Sequence, residues 1–311
     1  MSLIDAFPTV SVEEIPALAS PTWWGADSIR RRGQLSSGGS VLVRQMHPDA
    51  RAYARPAVVV AAATAASDAG LGPRVLASDA ATGELVMADL SDTMRTATID
   101  DFLDRAALER LADLLGRIRD EITVTAPACS VFDDIRELRR LIGSGAPALP
   151  GDIEWMAARV DDLATWVDGR PQARRFCHNV GDVSNILLSE DRMLVVDWDL
   201  ARWVDPLQDI GVVLDELAYL PLDPEDLFTT LNRGWDPMAY ATARAFGTAE
   251  HLRQGLIGVY RDLREPGTIE YSKFADWHFL HLREALLDRR HDGYFVARPS
   301  GRTLEQTYQE G

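Results

Sequence analysis

The chain has 311 residues, of which 46% are hydrophobic and 26% charged, so it is long enough for two lobes that each bury a core. Its formal net charge of −16 argues against nucleic-acid binding, which needs a basic surface, and fits a cationic substrate or a basic partner. The two widely spaced cysteines form neither a disulfide framework nor a zinc site, and the lack of a signal-peptide pattern and of about 20 consecutive apolar residues favours a cytoplasmic protein without a membrane segment.

The first 90 residues predict a small antiparallel sheet with one helix. Ser28–Leu35 and Ser40–Met46 are predicted to form a hairpin, and its Gly/Ser turn over residues 36–39 has the composition of turns that bind phosphate through backbone N–H groups. The other predicted elements of this part are a short helix near Val12–Leu18, an Ala-rich helix over Arg55–Ala69, and strands over Arg74–Ala77 and Glu84–Met87. Residues Ala88–Thr93 are predicted to connect this part to the next.

After Thr96 the apolar residues recur at helical spacing, which predicts a mainly helical second part. The predicted helices are Ala106–Val124, Val131–Ile142, Ile153–Val167, Gln208–Ala218, Pro224–Leu231, Pro237–Phe246, Glu250–Tyr260 and Ile269–Arg289. His278 and His281 lie one turn apart in the last helix, but no further ligand completes a metal site, so we interpret them as core or surface histidines. The polar tail Arg298–Gly311 is predicted to be loosely ordered.

The most informative stretch runs from residue 176 to residue 211 and reads FCHNVGDVSNILLSEDRMLVVDWDLARWVDPLQDIG. Its polar residues include His178, Asn179, Asp182, Asn185, Asp197 and Asp199. Two apolar runs separated by the turn Ser189–Arg192 predict a hairpin that brings an Asn and an Asp to one end. Such oxygen ligands suit Mg²⁺. A hairpin with two polar loops and a buried Trp is the alternative interpretation.

Several short motifs in and around this stretch occur in a fixed order. They are Cys177-His178-Asn179, Asn185-Ile186-Leu187, Val196-Asp197-Trp198-Asp199, Asp205-Pro206 and Asp209-Ile210-Gly211. Together they resemble the aminoglycoside phosphotransferase and choline kinase family. The resemblance implies a protein-kinase-like α+β fold, with a small antiparallel-sheet N-terminal lobe over residues 1–90 and a larger, mainly helical C-terminal lobe over residues 91–311. It also implies ATP-dependent phosphoryl transfer to a hydroxyl, with Mg²⁺ as the second cofactor.

The resemblance also assigns a nucleotide site. Arg44, at the end of the third strand, would contact the α/β-phosphates as a forked donor. Ser37 and Gly38 belong to the turn that would cover the phosphates. Met87 and Asp89 belong to the hinge that would receive adenine on backbone groups.

The catalytic loop of the family runs His-x-Asp-x-x-x-x-Asn, and the spacing from His178 to Asn185 is the same here. Asn185 and Asp197 would hold Mg²⁺ against the nucleotide phosphates. The aspartate position, however, holds Val180, which cannot accept a hydroxyl proton. Asp182 is the candidate replacement, unless it is only a solvated loop residue.

A second departure concerns the partner of Arg44. The helix position where the family carries a glutamate holds Val59, so Arg44 would lack its usual partner or take one from elsewhere. Two functions remain open. The first is a kinase acting on a hydroxyl of a small molecule or peptide, possibly a cationic one. The second is a pseudokinase that binds nucleotide or a protein partner without phosphoryl transfer.

Overall fold

The computed structural model describes residues 2–19, 23–179 and 181–288. The strands are β1 (Thr9–Ile15), β2 (Ser28–Leu35), β3 (Ser40–Met46), β4 (Val75–Asp79), β5 (Glu84–Ala88), β6 (Arg95–Thr96), β7 (Arg175–Cys177), β8 (Ile186–Leu188), β9 (Met193–Val195) and β10 (Arg202–Val204). The α-helices are α1 (Pro56–Asp68), α2 (Arg105–Glu121), α3 (Val131–Ile142), α4 (Ile153–Asp168), α5 (Pro206–Glu216), α6 (Pro224–Asn232), α7 (Pro237–Arg264) and α8 (Tyr271–Leu287).

The N-terminal part is a five-stranded antiparallel sheet with the strand order β1-β2-β3-β5-β4. The predicted β2–β3 hairpin is present, with Ser28 opposite Met46. Pro56 opens α1 at its first turn, where a missing N–H costs nothing. The sheet and the helices that follow it confirm the predicted α+β class.

The helix predicted near Val12–Leu18 is wrong, because this segment contributes to the edge strand β1. Glu13 lies opposite Arg32 and Glu14 opposite Arg31 on β2. Opposite charges that face each other across a ladder stabilise strand pairing. This non-local pairing outweighs the weak helical pattern of the segment.

Helix α7 runs through the middle of the helical part, where it packs against α3, α5 and α8. Two separate helices, Pro237–Phe246 and Glu250–Tyr260, were predicted over its length, but the structure has one helix of 28 residues. The residues between them, which include Gly247, continue the helix. A Cβ at Gly247 would lie 2.5 Å from the Asp215 Oδ2 atom, so this glycine serves close packing against α5.

One hydrophobic core joins the sheet to the helical part. It includes Val59 of α1, Leu85 of β5, Trp198 and residues of α3, α4, α7 and α8. A second cluster lies among α2, α5 and α6. None of the helices within the described ranges is long and apolar enough to cross a membrane. The last described helix ends at Leu287, so the predicted tail Arg298–Gly311 lies outside the described residues.

The contact between α5 and α7 gives a prediction for stability. A Cβ at Gly211 would lie 2.1 Å from the Ala243 carbonyl oxygen, so Gly211→Ala must push the two helices apart. We expect it to lower the free energy of unfolding by about 3 kcal/mol, as overpacking does. At Gly116 in α2 the nearest atom to a new Cβ is the Arg233 Nη2 atom, 3.4 Å away. Gly116→Ala is the control and should raise stability by about 0.5 to 1 kcal/mol. Urea denaturation measures both, and equal effects would contradict the packing argument.

Candidate active site

The β8–β9 hairpin brings Asn185 and Asp197 to the same end, as the sequence predicted. Ile186 pairs with Val195, and one step further the Val196 N–H donates to the Asn185 carbonyl at 2.9 Å. Asn185 and Asp197 both line one large cavity. An amide oxygen and a carboxylate on one cavity wall are a donor set that suits Mg²⁺.

The backbone at this site is held in unusual conformations. Asn179 and Asp197 have φ of 65° and 67°, in the left-handed region that residues other than glycine seldom occupy. The Asn179 N–H donates to Asp209 Oδ1 at 2.7 Å, and Asn179 Oδ1 accepts from Gln208 Nε2 at 2.7 Å. The start of α5 therefore holds Asn179, the second residue after β7, and such strained residues cluster at functional sites.

His178 lies in the core beneath the loop. Its Nε2 atom is 3.0 Å from the Val196 carbonyl oxygen, and its ring packs edge-on against Trp198 with 4.7 Å between ring centroids. Only 2% of His178 is exposed, and it is not among the described residues that line the cavity. The position suits a residue that orients the loop, and the predicted catalytic role of His178 stays a prediction.

Arg44 takes its partner from the segment that follows the hairpin. Its guanidinium donates to the Asp199 carboxylate and lies 3.7 Å from Asp197 Oδ1. Burial alone would lower the pKa of Arg44, but the charges of Asp199 and Asp197 raise it above its ordinary value. Val59 is buried in α1 and contributes no charge. The Arg44 Nη1 atom is buried without a hydrogen-bond partner, and Arg44 is not among the described residues that line the cavity.

The other predicted nucleotide residues lie in the sheet and the segment after it. Ser37 and Gly38 occupy the exposed β2–β3 turn, where Gly38 has a φ of 88° and its N–H donates to the Leu35 carbonyl at 3.1 Å. Met87 is buried in β5 and is paired on both sides, with β3 and with β4. The phosphate and adenine contacts of this group stay predictions.

Asp89 braces the hairpin with its side chain. Its carboxylate accepts from Arg32 Nε at 2.6 Å and from Ser40 Oγ at 2.9 Å, and its backbone N–H donates to the Ser40 carbonyl at 3.3 Å. The side chain and the N–H of Asp89 are therefore already engaged within the protein. A contact with adenine in this segment would use other backbone groups.

A second buried contact between the sheet and the helices was missed in the sequence. Asp27, just before β2, accepts from Arg261 Nη1 of α7 at 3.2 Å and from Trp23 Nε1 at 2.8 Å. The Tyr53 hydroxyl also donates to it. Asp27 lines the same cavity as Asp197. No local sequence pattern predicts this pair, because its members lie 234 residues apart.

The cavity has a volume of about 850 Å³ and a strongly acidic lining. Seven carboxylates line it: Asp27, Asp182, Asp197, Asp199, Asp215, Glu216 and Glu250. The aromatic side chains among its lining residues are Trp23, Tyr53, Tyr219, Phe274 and Trp277, together with the imidazoles of His251 and His278. Burial lowers the pKa of both histidines, so they add no positive charge at neutral pH. Part of the negative charge is balanced, because Lys273 also lines the cavity and four of the carboxylates pair with arginines, namely Asp27, Asp199, Asp215 and Glu250.

The comparison with known proteins identifies the family. Residues 23–246 match the model of the phosphotransferase enzyme family, which is well over half of the chain. The chain belongs to this family. The membership predicted from the motifs is confirmed, whereas the departure at Val180 stays a prediction, because this residue lies outside the described ranges.

Individual relatives agree with this assignment. Protein LicA of Haemophilus influenzae is 27% identical over 128 residues, which are 40% of this chain and 46% of LicA, so the match spans about half of that relative. A choline/ethanolamine kinase family protein from Mesorhizobium loti has a TM-score of 0.74 at 19% identity, covering 93% of this chain and 92% of its own. Choline kinase LicA from Streptococcus pneumoniae has a TM-score of 0.74 at 14% identity, covering 91% of this chain and 95% of its own. These structures share the fold, which confirms the predicted kinase-like architecture.

The Arg44–Asp199 pair gives a second prediction for stability. Asp199→Asn leaves a buried guanidinium with only the more distant Asp197, so we expect a loss of about 3 kcal/mol, as for other broken buried pairs. Glu109→Gln, which breaks the exposed Arg105–Glu109 pair of α2, is the control and should cost less than about 1 kcal/mol. Chemical denaturation at pH 7 measures both. A cost for Asp199→Asn no larger than that of the control would contradict the role given to this pair.

Proposed function

We propose that the protein is an ATP- and Mg²⁺-dependent phosphotransferase that phosphorylates a hydroxyl of a small cationic molecule, such as an amino alcohol. One observation carries the proposal. The same cavity holds the Asn185–Asp197 pair and a set of aromatic and acidic side chains. A nucleotide and a cationic acceptor would thus meet in one enclosed space.

The nucleotide side is supported by the donor set described above. Phosphoryl transfer needs positioning and neutralisation of phosphate charge more than it needs covalent chemistry from the protein. Asn185 and Asp197 offer oxygen ligands for Mg²⁺, which would bridge the nucleotide phosphates. Arg44 lies 3.7 Å from Asp197 Oδ1, so its positive charge would help to neutralise phosphates held at the metal. These residues fit the two cofactors that the family membership implies.

The acceptor side is supported by the lining of the cavity. Aromatic faces attract cations, and carboxylates add charge that a neutral acceptor would not use. Trp277 is 51% exposed although it borders the cavity, so its indole is accessible to a ligand. The two structural relatives are named as choline or ethanolamine kinases, which agrees with a small amino alcohol as the acceptor.

A coupled assay tests the proposal with Mg²⁺, ATP and a panel of choline, ethanolamine and an aminoglycoside. We expect ADP release that depends on one of these acceptors. Asp197→Asn should lower kcat about 100-fold or more, because the metal stabilises the transition state by several kcal/mol. Asp191→Asn is the matched control, since Asp191 lies in the exposed turn at the other end of the same hairpin. The control should retain the wild-type rate.

Thermal denaturation separates the alternatives. A ligand that binds the folded state raises the melting temperature, so millimolar Mg²⁺·ATP should stabilise the protein. Stabilisation without turnover of any acceptor would favour the pseudokinase that the sequence left open. The absence of both stabilisation and turnover would refute nucleotide binding and the kinase with it.

A further inference from the structure

Two histidines from different helices meet in the cavity wall. His278 of α8 and His251 of α7 both line the cavity, and their Nδ1 atoms are 3.2 Å apart. In the sequence His278 lies one turn from His281, and neither was given a role in binding. The structure brings His251 to His278 from a position 27 residues earlier in the chain. The cavity thus contains a pair of imidazoles that the proposed reaction does not use.

The contact between the two rings determines where their protons lie. Burial lowers the pKa of both histidines, so both rings are neutral at pH 7. Two neutral rings in this contact share one hydrogen, so one Nδ1 donates and the other accepts. His251 Nε2 lies 3.5 Å from Asp215 Oδ2, and a carboxylate favours the proton on the nitrogen that faces it. His251 therefore carries its proton on Nε2, and His278 donates from Nδ1 to His251.

This arrangement leaves a lone pair on His278 Nε2. Within the described residues the Nε2 atom has no hydrogen-bond partner, and it is not one of the buried polar atoms that lack a partner. It therefore remains accessible to a ligand in the cavity that His278 lines. A neutral imidazole nitrogen of this kind accepts a hydrogen bond from an N–H or O–H group. His278 thus adds an acceptor to a cavity whose carboxylates are also acceptors.

The aromatic ring next to His278 is already engaged within the protein. Phe274 packs against His278 with 4.4 Å between ring centroids and against Trp23 with 4.5 Å. Only 7% of Phe274 is exposed. A quaternary ammonium group binds by placing its methyl groups against open aromatic faces. The surroundings of His278 instead suit a ligand that donates a hydrogen bond.

Amino alcohols differ in the number of N–H groups on the ammonium. Ethanolamine carries three of them, its protonated N,N-dimethyl form carries one, and choline carries none. A quaternary ammonium beside His278 would displace water from Nε2 and offer no donor in return, which costs free energy. A site that hydrogen-bonds its substrate rejects an analogue without the donor more strongly than an apolar pocket rejects an added methyl group.

We propose that His278 determines the acceptor specificity of this chain by accepting a hydrogen bond from the acceptor's ammonium group, so that the acceptor carries at least one N–H. This inference rests on the proposed function. It narrows the cationic acceptor to primary, secondary and tertiary amines and excludes quaternary ones. In this role His278 holds the ammonium and touches no reacting atom, and the hydroxyl of the acceptor lies toward the metal pair Asn185 and Asp197.

A graded set of acceptors tests the proposal in the coupled assay: ethanolamine, N-methylethanolamine, N,N-dimethylethanolamine and choline. Each step along the set adds one methyl group, but only the last step removes the final N–H. We expect kcat/KM to change little over the first two steps and to fall about 10- to 100-fold at the last, mainly through KM. If an aminoglycoside is turned over instead, it is compared with its fully N-methylated form.

Two amide substitutions separate the acceptor atom from the contact with His251. His278→Gln can place its amide oxygen near the position of Nε2, so the step between the last two acceptors should persist. His278→Asn can keep a donor near Nδ1 for His251 but leaves no acceptor at the position of Nε2, so the step should shrink to less than about 3-fold. Asp276→Asn, at an exposed position of the same helix, is the control and should match the wild type.

Nitrogen-15 NMR of the histidine rings tests the proton assignment independently of turnover. The signals missing in His278→Gln identify His278. At pH 7 they should show a protonated Nδ1 and an unprotonated Nε2. A His278 ring that carries its proton on Nε2 would have no lone pair for the ammonium, and this result overturns the proposal.

The outcomes separate this inference from the proposed function. Equal kcat/KM for choline and its dimethyl analogue, a preference for choline, or a step that persists in His278→Asn overturns the role of His278 and leaves the kinase intact. Wild-type protein that transfers phosphate to no acceptor overturns the proposed function, and the inference about His278 falls with it.

Discussion

The site depends on one buried ion pair, formed by Arg44 of β3 and Asp199 of the segment after β9. Arg44 belongs to the sheet and Asp199 to the helical part, and both are at least 90% buried. Burying a charge without a partner costs free energy, so removal of either residue would destabilise the folded protein. The pair therefore fixes where the sheet lies against the Asp197-Trp198-Asp199 segment. The Asp27–Arg261 contact is a second pair of this kind, with an acid just before β2 and an arginine from α7.

The same pair explains why the chain does without a glutamate in α1. In the predicted arrangement a helix carboxylate would neutralise Arg44, and Val59 made that impossible. In the structure Asp199 neutralises Arg44 instead, and it lies two residues after the predicted metal ligand Asp197. Arg44 then lies beside both carboxylates, and its Nη1 donor remains unpaired. One arginine thereby connects the sheet to the Asp197-Trp198-Asp199 segment.

The sequence predicted the parts of the site that depend on neighbours along the chain. Asn185 and Asp197 are twelve positions apart and are joined by one hairpin, so alternation and a polar turn were enough to place them together. The partners of Arg44 and Arg261 lie 155 and 234 residues away. No local pattern encodes such a distance.

The two errors in secondary structure have the same origin. Strand β1 is exposed along most of its length, so burial gives its sequence no clear alternation, and its conformation comes from pairing with β2. Helix α7 is buried on nearly all sides, and two shorter helices were predicted on either side of Gly247. Both elements take their form from contacts outside their own segments, which single-segment patterns do not contain.

Close backbone contacts link the loop after β7 to helices α5 and α7. Gly181 lets the catalytic loop touch α5 at Val212, while Gly211 and Gly247 let α5 touch α7. The loop, α5 and α7 thus form three layers with no side chain between their backbones at these points. The left-handed residue Asn179 lies at the top of this stack, where Arg253 of α7 donates to its carbonyl at 3.4 Å and Asp209 of α5 accepts from its N–H. A residue of that conformation costs about 1 to 3 kcal/mol and persists only where its surroundings enforce it. Helices α5 and α7 thus bind the N–H and the carbonyl of the same residue, which holds Asn179 in its left-handed conformation.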